Sequence, residues 1–387
     1  MKVAVIGNGG REHALRSVLA RTATVVGEVD DADLYVIGPE QPLVDGEADR
    51  LRAAGKLVFG PGADGARLEG SKAWMKEVLA TAGVPTARHG VFSDVEPAVQ
   101  FLKSLPGLYV VKTDGLAAGK GVLVTESLDE AVDDVAAKLS GSSFGAAGRT
   151  VVIEEGLTGP ELSLLAVCDG RRAVPLAPAR DFKRVGDGDS GPNTGGMGAY
   201  SPVADAGPSV VDAVMSLAVE PTLAALQVEG IDYRGVLYTG LMLTPEGPKV
   251  IEYNVRFGDP EAQVVLPRFT GDLAGFLAEA AAGDLRSSPS FGDDACVCVV
   301  LAAGGYPSAP RSGDVVTGIE DAEALGGVLV FRAGVATDGA GRLVTAGGRV
   351  LDVCALAPTV AEARARAYRA AALISFDGMQ YRRDIAA

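Results

Sequence analysis

"VIEYNVRFGDPEAQ", Val250 to Gln263, decides how this chain is read. A run fit for a strand carries Glu252 and Asn254, and a Phe-Gly-Asp-Pro corner then adds Asp259, Glu261 and Gln263. Residues two apart on a strand point to the same face, so Glu252 and Asn254 present two oxygen donors to one side. Such groups are costly to bury unpaired. A divalent ion suits them, with phosphate oxygens completing its shell. Arg256 and Arg268 flank the turn, and an arginine beside a metal is suited to a substrate carboxylate or a transferring phosphoryl group. The competing reading is an internal salt bridge from Arg256 to Asp259 or Glu261.

Working upstream, "TDGLAAGKGVLV" sets Lys120 in a Gly-rich loop between two strand candidates, with Lys112 on the first. Backbone N–H groups and ammonium groups in such a loop can wrap a triphosphate. The loop is not a Walker A motif, because Gly121 follows the lysine where a hydroxyl should bind the metal. An ordinary hairpin turn fits it equally well. "VVIEEGLTGPELS" ends a further strand in Glu154 and Glu155, with Glu161 beyond. That segment is either an adenine edge with a ribose carboxylate or a solvated acidic corner.

The 387 residues predict two to four domains, and therefore sites between domains. A net charge of −15 repels nucleic acid and anionic membranes, so any phosphate must be held by local groups. Cys168, Cys296, Cys298 and Cys354 form no CxxC pair, and they read as small core residues of a reduced protein. No leader precedes "MKVAVIG" and no apolar run reaches bilayer length, which predicts a cytoplasmic protein.

"MKVAVIG", "ADLYVIGPE" and "KLVFGPG" are strand-then-loop units separated by helical spacers, which predicts a parallel sheet with ligands at its carboxyl ends. "LYVVKTDG", "KGVLVTES" and "RTVVIEEGL", with the helix "LDEAVDDVAAKL", predict a small α+β lobe. A second lobe is expected from about Ser163 to Gly283, holding the long polar loop "RDFKRVGDGDSGPNTGGMGAYSP". The remainder is read as β-rich. The expected domains are 1–75 (α/β), 76–290 (two α+β lobes, the small one about 88–160) and 291–387 (β-rich). "VAVIGNGGREHA" tempts a dinucleotide reading but has Glu12 at the third glycine position. His13 either touches a phosphate or packs at a helix start. His89, in a Pro/Gly-flanked connection, receives no role.

The order of these parts is that of the ATP-grasp fold. "RFGDPEAQ", "GNGGREHAL", "GPEQPLV", "LEGSKAWMK", "DGLAAGKGV", "GPNTGGMGAYSP" and "VLAAGGYP" together resemble the phosphoribosylamine–glycine ligase (glycinamide ribonucleotide synthetase) family, from Lys2 to about Ile385. The resemblance implies ATP-dependent joining of glycine to 5-phosphoribosylamine through a glycyl phosphate, in purine biosynthesis. It implies catalytic work by Arg256, Lys120, Asp181 and Lys183. Lys112, Gly119, Lys120, Gly121, Glu154, Glu155, Leu157 and Glu161 would bind ATP, and Glu252 and Asn254 a Mg²⁺ or Mn²⁺ ion. Gly9, Gly10, Arg11, Glu12, Ser71, Lys72, Asn193, Thr194, Gly195, Gly196, Met197 and Arg256 would contact the other substrates. The partners are small molecules, with no nucleic acid or membrane, and a monomer is expected.

Between Ala20 and Asp33 only "RTATVVGEVDDA" stands where the family carries a strand, a loop and a helix. Roughly one βα unit, with an interior strand, is expected to be absent. Either the domain is truly reduced or an interior segment is missing from the sequence. Two other functions compete: an ATP-grasp enzyme joining a different carboxylate and amine, and a non-catalytic nucleotide binder. The second has no need of Lys120, Glu252 and Asn254 together.

Overall fold

The computed structural model describes residues 1–28, 31–116, 121–141 and 149–387. The chain opens with an all-parallel sheet in the order Thr24–Val26, Lys2–Ile6, Leu34–Ile37, Val58–Phe59. The strand expected to be lost is therefore present. It pairs Lys2 with Thr24 at the sheet edge, so no interior gap arises. What is short is the connection from Val26 back to Leu34, which holds no helix among the described residues.

The small lobe is a four-stranded antiparallel sheet, ordered His89–Phe92, Val151–Glu155, Tyr109–Thr113, Val122–Thr125. His89 thus lies on a strand opposite Glu154 rather than in a connection. Helices Val95–Lys103 and Leu128–Leu139 pack together on this sheet, the second capped by Ser127, whose Oγ accepts the Glu130 N–H. Val111, Val151 and Ile153 are fully buried in the lobe's own core, each contributing about 1.5 to 3 kcal/mol.

The large lobe is built on a second antiparallel sheet, ordered Ala173–Pro175, Glu161–Asp169, Arg234–Thr244, Gly247–Asn254. A continuous helical stretch, Pro208–Val228, is long and apolar enough to cross a membrane by length and composition. It carries Asp212 and Glu220, and Val214, Val219, Leu223 and Leu226 pack into the core shared with the parallel sheet. It serves as a core helix.

The last unit is a five-stranded sheet in the order Arg180–Asp181, Gly198–Ser201, Ala295–Ala302, Arg349–Ala357, Val328–Arg332, with helix Val360–Ala371 packed on it. This corrects the expected long polar loop. Its two ends are strands of the C-terminal sheet, and its middle is a hairpin, Arg184–Gly186 with Ser190–Asn193. The chain alternates small apolar residues there, and Gly198 leaves no room for a Cβ against the Cys298 carbonyl. All four cysteines are buried free thiols, Cys296, Cys298 and Cys354 within this sheet and Cys168 on the Glu161–Asp169 strand of the large lobe.

Candidate active site

A cavity of about 1010 Å³ lies where the four units meet, and its wall assembles most of the residues singled out in the sequence. Lys112, Gly121, Glu154, Glu155, Leu157 and Glu161 line it from the small lobe and the start of the large one. Asp181, Lys183, Asn193, Thr194 and Gly195 line it from the hairpin region, and Arg11 and Lys72 from the N-terminal side. Glu252, Asn254 and Arg256 complete the wall. Gly119 and Lys120 lie outside the described residues.

Glu252 and Asn254 end the Gly247–Asn254 strand on one face, as period-2 alternation requires. The Lys183 ammonium lies 3.3 Å from Glu252 and 3.0 Å from Glu161. Lys183 holds the Glu252 carboxyl down at about 2 against the opposing effect of burial, with Lys112 and Lys72 adding to it. Burial would lower Lys183 itself, but Glu161, Glu252 and Asp181 outweigh it and raise its ammonium well above the ordinary range. Asp181 is pushed well up by burial, with Lys183 opposing. An ionised carboxylate beside an amide oxygen is a hard-donor pair that fits Mg²⁺. Among the described residues no group of three or more His, Cys, Asp or Glu is suited to a metal, so the rest of a shell would come from phosphate oxygens and water.

Arg256 pairs with neither Asp259 nor Glu261. Its partners are Glu69 at 2.8 Å and Glu40 at 3.3 Å, both from the N-terminal domain. Burial opposes the charge on Arg256, and Glu69 and Glu40 outweigh it and raise its pKa. Glu261 instead accepts from Tyr238 Oη and Ser163 Oγ, and Asp259 pairs with Arg349 at 3.2 Å. Arg268 is a buried tie that donates to the Asp294 carbonyl and Ser201 Oγ, away from the cavity.

The Glu154 side chain is almost wholly buried, with Lys76 at 2.9 Å and Lys112 at 2.7 Å. Lys112 also donates to the Ile251 carbonyl at 3.0 Å. Burial brings Lys76 down to about 8, with Glu154 opposing, so both partners are charged at neutral pH. Glu154 thus sets the posture of Lys112. Glu155 spends one carboxylate oxygen on the Arg88 N–H. Lys72 donates to the Gly115 carbonyl at 2.9 Å, and burial lowers its pKa.

Several expected contacts point elsewhere. The Glu12 carboxylate accepts the Gly9 N–H at 2.6 Å and Arg11 Nε at 2.6 Å, so it is consumed within its own turn. Gly9, Gly10 and Glu12 do not line the cavity. A Cβ on Gly10 would sit 1.8 Å from Asp352 Oδ2, which makes glycine a packing requirement there. Ser71 caps helix Lys72–Thr81 and donates to Asp114. Met197 is fully buried and bonds through its backbone to Phe182 and Val300, while Gly196 packs on Pro260. His13 accepts the Arg332 N–H through Nδ1 and meets Phe331 edge-on, the packing alternative.

Glu40, Glu69, Lys76, Tyr306 and Arg349 had no role in the sequence reading. Tyr306 Oη accepts the Gly195 N–H at 3.2 Å, and Arg349 donates to the carbonyls of Gly195 and Asp259. Glu40, Glu69, Lys76 and Tyr306 do stand inside the quoted segments "GPEQPLV", "LEGSKAWMK" and "VLAAGGYP", a signal that was available.

Comparison with known proteins agrees with this geometry. Models of the phosphoribosylglycinamide synthetase N domain, ATP-grasp (A) domain and C domain match residues 23–69, 70–262 and 296–387. The chain is 44% identical over 418 residues to a phosphoribosylamine–glycine ligase of Brucella melitensis, covering 100% of this chain and 97% of that protein. It is 46% identical over 422 residues to that of Streptomyces coelicolor, covering 100% and 99%. Both alignments exceed the 387 residues of the chain, in keeping with the shortened segment after Ala20. The crystal structure of phosphoribosylamine–glycine ligase from Thermotoga maritima superposes with a TM-score of 0.89 at 36% identity, covering 100% of each chain. The chain belongs to the phosphoribosylglycinamide synthetase family of ATP-grasp ligases.

Proposed function

We propose that the chain joins the carboxylate of glycine to the amino group of 5-phosphoribosylamine with hydrolysis of ATP to ADP and phosphate. The observation that carries this reading is one cavity that gathers Lys112, Lys183, Glu252, Asn254 and Arg256 from the ATP-grasp lobes with Arg11 and Glu40 from helices of the parallel-sheet domain. A glycine carboxylate is a poor electrophile, so the γ-phosphoryl group is transferred to it first, and the amine then displaces phosphate. Such a reaction needs positioning and charge neutralisation more than a covalent nucleophile.

In this reading Lys112, fixed by Glu154 and the Ile251 carbonyl, holds the nucleotide phosphates. Glu161 takes the ribose, and the strand end from Glu154 to Leu157 the adenine. Glu252 and Asn254 hold a divalent ion, Mg²⁺ or Mn²⁺, which when bound neutralises the phosphates. Lys183 and Arg256 neutralise the glycine carboxylate and the transferring group, and Asp181 orders that end of the site. Gly119 and Lys120 belong to the same phosphate loop. The Asn193–Gly195 turn, Lys72 and Arg11 face the amine substrate. The proposed domains are 1–75, 76–290 and 291–387, and the protein works as a cytoplasmic monomer on small molecules.

The test is ADP release with Mg-ATP, glycine and freshly generated phosphoribosylamine, each omitted in turn. ADP formation that requires both co-substrates is the expected result. ADP formed without the amine, or no ADP at all, assigns the ATP-grasp core to another acceptor. Mg-ATP binding by calorimetry is expected regardless of the N-terminal shortening.

A further inference from the structure

Arg382 is among the largest side chains that are fully buried, yet it carries a charge and lies far along the chain from every residue of the cavity. Its guanidinium donates to both oxygens of Asp384, at 2.8 and 2.7 Å, to Asp189 at 2.6 Å and to the Arg184 carbonyl at 3.2 Å. It also stacks over Phe182, 5.0 Å from the ring centroid. Its neighbours repeat the pattern: the Arg383 N–H donates to Asp187, and Asp384 accepts the Gly188 N–H at 2.8 Å. Apart from Asp384, which belongs to the same C-terminal segment, these partners lie on or beside one hairpin, Arg184 to Asn193.

That hairpin joins two parts of the cavity wall. Lys183 precedes it, Asn193 and Thr194 end it, and its own Asp189 lines the cavity. Thr194 closes the base by donating its N–H and its hydroxyl to the Lys183 carbonyl, both at 2.8 Å. The tip is conformationally costly: Gly188 and Asp189 stand in the left-handed region at φ 65° and 52°, where an aspartate needs local support. The other end of the strap is anchored on helix Val360–Ala371. Tyr368 donates to the Arg382 carbonyl and accepts the Ile385 N–H, while Arg364 donates to the carbonyls of Arg383 and Ile385.

The structure assigns Arg382 as a positioning residue for the cavity: the segment Arg382–Ile385 is a strap from the C-terminal helix that fixes the hairpin, and so sets where Lys183, Asn193 and Thr194 stand. This rests on the function proposed above. Lys183 and the Asn193–Thr194 turn serve glycine and the amine there, so the strap governs those two substrates first and reaches the nucleotide only through the Lys183 contacts with Glu161 and Glu252. A misplacement near 1 Å at a distant support can cost about a hundredfold in rate. Arg382 is suited to the task because its planar fork makes four hydrogen bonds, two of them to Asp384, while lying over Phe182, whereas an ammonium has three donors and no flat face.

The test pairs Arg382→Met with Asp189→Asn, whose side chain is exposed, and with Arg382→Lys. Arg382→Met is expected to raise KM for glycine and for phosphoribosylamine at least about tenfold, one decade of the range such misplacements span, while Mg-ATP affinity by calorimetry stays within about twofold. Asp189→Asn should shift the same constants by a few-fold, and Arg382→Lys should recover part of the loss. Hydrogen–deuterium exchange gives a readout independent of turnover: the Val185–Thr194 amides should exchange faster in Arg382→Met, with the Arg234–Thr244 strand unchanged. Unchanged KM values and exchange in Asp189→Asn, or a loss of Mg-ATP affinity equal to the loss in KM, would overturn the assignment. If Arg382→Met does not fold, Asp189→Asn decides alone. The omission assay on the unaltered protein reports separately whether the function proposed above fails.

Discussion

Two segments of this molecule look alike on paper, the corner from Glu252 to Gln263 and the turn from Gly7 to Glu12. Each follows a strand, and each crowds glycine with charge. In the folded chain they do opposite things. At the strand end, Glu252 and Asn254 face the open cavity, and Glu252 is kept ionised by lysines gathered from three other segments. In the turn, Glu12 is buried and spends both carboxylate oxygens on Gly9 and Arg11, so its own charge holds the turn and leaves Arg11 alone of the turn at the cavity wall. Polar crowding therefore marks a ligand only where the partners are supplied from elsewhere in the chain. Where neighbours one to three residues away satisfy it, it is architecture.

The sharpest way to break this contrast is Glu252→Ala. Turnover should fall on the order of 10²- to 10³-fold or more, as when a group aimed at developing charge is removed. Circular dichroism should show the fold intact. Near-native ADP release would remove Glu252 from the site.

Asp352 lies under the turn, against Gly10, and burial followed by the nearby Asp259 raises its carboxyl to about 7. A carboxyl whose pKa is higher folded than unfolded stabilises the protein below its unfolded value, and that contribution is lost as pH rises toward 7. Asp352→Asn mimics the protonated acid. Its stability relative to the unaltered chain should improve by about 2 to 4 kcal/mol between pH 4 and pH 8 in urea titrations. A constant difference across that range would contradict the placement.

Gly10→Ala should cost about 2 to 3 kcal/mol, because the new methyl meets the Asp352 carboxylate. Mg-ATP affinity should hold. The mildest change, Glu12→Gln, keeps one good acceptor of two and should cost about 1.5 kcal/mol by thermal melting. A large loss of Mg-ATP affinity in Glu12→Gln would show that the turn is more than architecture.

These contrasts also show what a sequence can carry. The parallel sheet, both lobes and the Glu252–Asn254 pair were legible because strand periodicity and local spacing encode them directly. The fate of Arg256 was not, since its partners Glu40 and Glu69 lie nearly two hundred positions upstream and no local pattern links them. Lys76 escaped notice for the same reason: it sits on an ordinary amphipathic helix and gains meaning only when Glu154 folds against it. Thr24–Val26 was passed over because three residues are too few to show alternation, and only pairing with Lys2–Ala4 defines the strand. The polar segment from Arg180 to Ser201 read as a loop because its strands are two to four residues long, the outer two belonging to a sheet completed about a hundred residues later and the inner two pairing only with each other.

The seam between the small lobe and the Gly247–Asn254 strand has a mechanical meaning. Thr86 Oγ1 donates to the Val250 carbonyl, Lys112 to the Ile251 carbonyl, and Lys76 bridges Thr86 and Glu154. These ties gather at one end of a lobe that otherwise has its own core. They form a pivot, with Lys112 near its axis. Any swing of the lobe then moves Lys112, and Val122 paired with it, less than the parts of the lobe that carry no such tie. A lobe hinged there can swing about its ties while the lysine that faces the cavity keeps its place.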